Sequence, residues 1–121
     1  MKSLIKGILL IFLSIPMIQV FADNASDGNR FYKAGKYQQA MTYFMKPDAR
    51  IKPEVMNRIG FMYDSGLGVK KDEAIAFQWY RNAAEQGLAK AQYNVGLFYQ
   101  FGIYVKKNLN EAIKWFKKAA D

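Results

Sequence analysis

The 121-residue chain contains neither cysteine nor histidine. Without a thiol or an imidazole there is no Cys nucleophile and no His general acid or base. Disulfides and zinc or iron–sulfur sites with the usual nitrogen and sulfur ligands are excluded too. Acidic residues are few, 10 against 18 lysines and arginines, which gives a formal charge of +8. No segment alternates apolar and polar residues as a half-buried strand would. The longest apolar run, Gly7 to Ile18, falls short of the roughly 20 residues needed to span a bilayer. What remains is a short basic chain, large enough for one domain with one modest core.

That apolar run belongs to a targeting segment. Lys2 and Lys6 form a positive start, Pro16 interrupts the run, and Val20-Phe21-Ala22 leads into polar Asp23-Asn24. The pattern is that of a secretory signal peptide cleaved after Ala22, so residues 1–22 are expected to be removed and the protein to be periplasmic or secreted. An uncleaved anchor is the alternative, and the shortness of the run argues against it. No Cys follows to carry a lipid. After cleavage no stable membrane insertion is expected.

The remaining chain repeats itself. Shifted by 36 positions, Gly60 falls on Gly96, Tyr63 on Tyr99, Gly66 on Gly102, Val69 on Val105 and Lys70-Lys71 on Lys106-Lys107. Ala76 falls on Ala112, Trp79 on Trp115, Tyr80 on Phe116 and Ala83-Ala84 on Ala119-Ala120. A degraded earlier copy places Ala40, Tyr43 and Phe44 before Ala76, Trp79 and Tyr80, with Gly28 before Gly60. A fixed period of this length signals a solenoid of helix pairs. Residues 76, 79, 80, 83 and 84 lie at i, i+3, i+4, i+7 and i+8, one apolar stripe of a helix in which small residues allow close approach and rings fill the gap. Trp79 and Trp115 are expected to be buried there. Asp72 and Asn108 are placed as N-caps, the latter with Glu111 three residues on. Pro47 is expected to stop one helix and Pro53 to open the next. The reading is six helices, over 26–34, 37–46, 53–65, 72–86, 89–101 and 109–120, in three antiparallel hairpins.

The runs IGFMYDSGLGVKKDEAIAFQWYRNAAEQGLAKAQY (59–93) and VGLFYQFGIYVKKNLNEAIKWFKKAAD (95–121) closely resemble the Sel-1-like repeat, a relative of the tetratricopeptide repeat. Its marks are a Leu-Gly-x-Met-Tyr-like start, a Gly-x-Gly-Val turn, an Asp, a Trp-Tyr pair and an Ala-Ala-x-x-Gly end, in order. The resemblance implies an all-α fold, a right-handed superhelix of about three hairpins. It would span residues 23–121, with a degenerate repeat at 26–52 and repeats at 53–88 and 89–121. It also implies binding to another protein, since exported members of the family serve as interaction modules, some as antagonists that hold a secreted toxin inactive. Some cysteine-rich relatives have been linked to penicillin binding or hydrolysis. The lack of Cys here counts against that branch.

Candidate chemistry is poor. The Ser-x-x-Lys spacing that lets an amine activate a hydroxyl occurs only at Ser3 and Lys6, inside the segment expected to be removed. Beyond it the serines are Ser26 and Ser65. Asp64, Asp72, Glu73 and Glu85 could form an acid pair, but Asp72 and Glu73 suit a helix start. A non-enzyme without cofactor or metal is expected, and the alternative is an envelope hydrolase acting on β-lactams or cell-wall sugars. Lys70-Lys71, Lys106-Lys107, Lys114 and Lys117-Lys118 recur with the repeat. They could present a stripe to nucleic acid, to anionic lipid headgroups or to an acidic protein, and they read first as a solvated face that could steer an acidic partner. An exported chain does not meet nucleic acid, and none is expected as ligand.

Binding candidates come from positions greasier than the repeat requires. Phe101 replaces Ser65 of the preceding copy, and Tyr104 replaces Gly68. Leu97 and Phe98 match Phe61 and Met62 on the first helix of each hairpin, with Phe98 and Met62 the natural core pair. Aromatic anchors near Arg are enriched at interface hot spots, which gives Arg58, Phe61, Leu97, Phe101 and Tyr104 as the candidate set. On the last helix, part of the stripe around Ile113, Phe116 and Ala120 is expected to stay exposed and to be covered by a second copy or by the partner.

Overall fold

The computed structural model describes residues 23–121. The expected signal segment, with its cleavage after Ala22, lies outside the described residues. Seven helices and no strand occur among them: α1 (Asn24–Lys33), α2 (Tyr37–Phe44), α3 (Pro47–Arg50), α4 (Pro53–Ser65), α5 (Glu73–Glu85), α6 (Ala89–Phe101) and α7 (Leu109–Ala120). The pairs α1·α2, α4·α5 and α6·α7 are antiparallel hairpins, and α5 packs on α6 to join the second to the third. The fold is an all-helical solenoid.

Local chemistry sets the boundaries. The Asp72 side chain accepts from the Ile75 N–H and that of Asn108 from the Glu111 N–H, each at 3.0 Å, so both expected caps form. Glu111 does not reach back to complete a capping box, because its carboxylate pairs with Lys114 at 3.2 Å. Asp23 caps α1 through the N–H groups of Ala25 and Ser26, which moves its start ahead of residue 26. α4 and α6 end at Gly66 and Gly102, both left-handed with φ 69° and 65°, where a Cβ would be strained.

The expected helix over 37–46 is shorter than anticipated. It stops at Phe44, and Pro47 opens the one-turn α3 instead of merely ending α2. Proline has no N–H to lose at a helix start, so the residue that bars continuation also favours a new turn.

Two apolar clusters share the interior. One packs Ala40, Phe44, Ala49, Val55, Ile59 and Met62 between the first and second hairpins. The other packs Ala76, Phe77, Tyr80, Ala83, Val95 and Phe98 between the second and third. Among the described residues the buried apolar side chains run from Ala25 to Ala112 and fill both clusters. Each hairpin closes around a glycine facing a ring: Gly28 faces Phe44, Gly60 faces Tyr80 and Gly96 faces Phe116. The expected burial of both tryptophans is corrected. Trp79 and Trp115 are only half-buried, and the fully enclosed ring of the stripe is Tyr80, 1% exposed. The Lys118 ammonium covers the outer face of Trp115, 4.4 Å from the ring centroid.

Candidate interaction surface

The first helices of the hairpins, α1, α4 and α6, carry the surface where most of the candidate residues lie. Phe61 is exposed on α4 and Leu97, at the equivalent turn of α6, is half-buried. Arg58 precedes Phe61 by one turn, and its guanidinium lies 4.7 Å from the centroid of Tyr32 on α1. Asn94 donates to the Asn57 carbonyl oxygen at 3.0 Å, tying α6 to α4 beside these residues. Arg58, Phe61 and Leu97 therefore share one face.

Phe101 lies one turn beyond Leu97 at the end of α6 and is 66% exposed. Tyr104 stands apart, in the loop after α6, its ring 5.7 Å from that of Phe77 on α5. Phe98 and Met62, read as core, are buried.

Sequence reasoning did not select Tyr93, which is 53% exposed and spaced four residues before Leu97. The signal was available, since Tyr93 replaces Asn57 of the preceding copy. Tyr93, Leu97 and Phe101 then form one stripe along α6, with the Tyr93 ring also 5.4 Å from Phe116 on α7. Also unselected was a groove of about 360 Å³ beside Arg58, lined by the polar Ser26, Asn29, Lys52 and Glu54 together with Pro53 and Val55.

The acids considered for catalysis are all engaged locally. Asp72 caps α5, Glu73 pairs with Lys71 at 3.6 Å and Glu85 with Arg81 at 3.0 Å. Asp64 accepts from the Tyr80 hydroxyl at 3.4 Å. Burial raises the Asp64 carboxyl above its usual pKa, a rise that the Tyr80 hydrogen bond and the Lys71 charge oppose. Burial also raises Tyr80, with the Asp64 charge adding to it. This is a structural pair at the base of a hairpin rather than a tuned acid and base facing a cleft. No group of three or more Asp or Glu converges to hold a metal among the described residues, and none of their helices is long and apolar enough to cross a membrane.

The Sel1 repeat model matches residues 53–88 and 89–121. The chain belongs to the Sel1 repeat family. A Sel1 repeat protein from Oxalobacter formigenes superposes with a TM-score of 0.79 at 57% identity over 82% of this chain and 39% of that one. A protective antigen of uropathogenic Escherichia coli with an SLR fold gives a TM-score of 0.75 at 33% identity over 80% of this chain and 22% of that one. A sel1-like repeat-containing protein of Acanthamoeba polyphaga mimivirus is 46% identical over 39 residues, 32% of this chain and 7% of its own length. The chain thus spans well under half the length of each of these relatives. Sel1 repeat proteins are generally protein-interaction modules.

Proposed function

We propose that this Sel1 repeat chain is a non-enzymatic, exported module that binds another protein of the cell envelope or a secreted one, through the first-helix face of α4 and α6. The observation that carries the reading is the pairing on that face of an exposed ring, Phe61, with the half-buried Leu97, beside Arg58. A ring and a guanidinium on a rigid helical face suit a hot spot, where aromatic and Arg anchors are enriched. Inhibition or immunity toward a toxin is the finer form of the same reading. Export rests on the pattern before Asp23.

Pull-down from the envelope fraction tests it, with Phe61→Ala, Leu97→Ala and Arg58→Ala against wild type. A partner retained by wild type and lost by these variants, at unchanged melting temperature, is the expected result. Intact mass of the envelope protein tests export, and the expected chain begins at Asp23. Self-association through the exposed part of α7 belongs to the same proposal, since Ile113 is 50% exposed there.

A further inference from the structure

In a stack of antiparallel hairpins, the loops within the hairpins all lie along one edge and the connections between hairpins along the other. Here the first edge carries the loops 34–36, 66–72 and 102–108. They lie close to their neighbours: Gly68 of the second packs on Tyr37 and Gln38 beside the first, and Tyr104 of the third packs on Phe77 of the preceding hairpin. Along this edge stand Lys33, Lys36, Lys70, Lys71, Lys106 and Lys107, all exposed. Of these only Lys71 has an ion pair among the described residues, with Glu73. The acids at this edge are otherwise engaged: Asp72 in capping, Asp64 with Tyr80 and Glu111 with Lys114.

The third loop adds exposed aromatics to this charge. Phe101 and Tyr104 are 66% and 56% exposed on either side of the Gly102 turn, next to Lys106 and Lys107. Tyr104 has φ 60°, the only non-glycine residue with positive φ among those described, where the preceding copy uses Gly68 at φ 68°. A side chain in that conformation crowds its own backbone, which glycine avoids. The fold does not require a ring there, because the parallel loop closes with glycine. Such local strain, kept to hold an exposed ring at a loop tip, is a feature of functional positions.

We propose that this loop edge docks the chain on an anionic phospholipid surface, with the Phe101 and Tyr104 rings entering the headgroup layer and the lysines of the three loops facing the lipid charge. Several features favour a bilayer over an acidic protein. The cations are spread over three successive loop tips rather than gathered around a groove, which suits a flat, delocalised charge. Rings flanked by lysines suit the boundary between headgroups and acyl chains, where an amphipathic ring keeps one end apolar and the other wet. Attachment is peripheral and uses only the last residue of the α6 stripe, Phe101, which leaves Arg58, Phe61 and Leu97 for a protein.

The experiment uses residues 23–121, which contain both apolar clusters and all three hairpins described above, so that the apolar segment before Asp23 does not itself enter lipid. Co-sedimentation is measured with vesicles of phosphatidylcholine alone and of phosphatidylcholine with about one third phosphatidylglycerol, at low and high salt. Binding to the anionic vesicles at least tenfold above the neutral ones, and lost at high salt, is expected. A lysine near an anionic surface contributes about fivefold in affinity, so Lys106→Gln with Lys107→Gln should weaken binding about thirtyfold. Phe101→Ser with Tyr104→Gly restores the residues of the preceding copy. It should weaken binding about tenfold while the melting temperature stays within a few degrees of wild type.

Equal binding to both vesicles, no binding, or a Phe101→Ser/Tyr104→Gly variant that binds as wild type overturns the proposal. Tighter binding to soluble polyglutamate than to the anionic vesicles overturns it in favour of an acidic protein.

Discussion

Gly60 lies against the ring of Tyr80, so closely that a Cβ built on it would come within 2.8 Å of Cδ1 and 3.2 Å of the Ala76 carbonyl oxygen. The same contact recurs between Gly96 and Phe116, where a Cβ would lie 2.6 Å from Cδ1, and between Gly28 and Phe44, where it would lie 2.5 Å away. Small residue against ring is therefore how each hairpin closes. It is also why glycine persists mid-helix despite a propensity cost of about 1 kcal/mol relative to alanine.

Gly60→Ala gains that propensity but meets a ring that cannot move, since Tyr80 is enclosed. Overpacking of this kind costs about 1–3 kcal/mol, and a net loss of stability is expected. Gly96→Ala meets the half-buried Phe116, which has room to swing outward. The loss should be smaller, although the built contact is shorter. Urea denaturation of both variants checks the order, and an equal or reversed order would mean that confinement of the ring does not govern the cost.

Truncating the stripe should separate its two large rings. Tyr80→Ala empties a fully enclosed site and should cost about 3–5 kcal/mol, the range for deleting a buried aromatic. Trp79→Ala and Trp115→Ala remove half-exposed rings and should cost about 1–3 kcal/mol, because only part of the transfer and cavity terms applies. Thermal melts of the three variants decide it, Tyr80→Ala being the one expected to lose its cooperative transition.

How much of this was legible before the structure depends on the position. The 36-residue shift aligned glycine on glycine and ring on ring and located two of the three side-chain caps, Asp72 and Asn108, because each is a local signal with one dominant solution, whereas the Asp23 cap of α1 lies outside the repeated pair. Burial within the stripe was less legible. Trp79 and Tyr80 are adjacent and both apolar in type, and only the rotation of α5 against α4 and α6 decides which is enclosed.

The weakness of the first copy has a physical reason. Aligned on Gly28 and Gly60, its Asp27 and Arg30 stand where Ile59 and Met62 are buried against the preceding hairpin. Among the described residues no hairpin covers Asp27 and Arg30, and they pair with each other at 3.2 Å. The left-handed backbone of Tyr104 was not visible either, because a substitution of Gly68 by tyrosine reads as a bulkier surface, not as strain.

Asp64 gives a pH-dependent test. Its carboxyl is raised in the folded state by burial, so the native chain holds that proton more firmly than the unfolded chain does. The contribution is fully present below the unfolded pKa and is lost as pH rises through the folded value. Asp64→Asn keeps an oxygen to accept from Tyr80 and removes the charge. It should melt slightly above wild type at pH 7, and the difference should vanish near pH 3. A variant less stable than wild type at pH 7 would show that the charged hydrogen bond outweighs burial.

The last helix distinguishes packing from exposure on one surface. Ile113 and Phe116 occupy the positions that Phe77 and Tyr80 hold in α5, where both are buried against Phe98 of α6. In α7 Ile113 is half exposed, whereas Phe116 is held on Gly96 and lies 5.4 Å from Tyr93. Ile113→Glu should therefore change stability by less than about 1 kcal/mol, as surface substitutions usually do. Phe116→Glu places a charge against the hairpin contact and should cost about 2 kcal/mol or more. Melting curves measure this difference, and light scattering across a concentration series reads association separately. If α7 meets a second copy, Ile113→Glu abolishes the concentration dependence while leaving the melt unchanged. Phe116→Glu cannot serve as an interface probe, because it acts on the fold first. A wild type that scatters as a monomer at every concentration removes the self-association reading while leaving the predicted stability order intact.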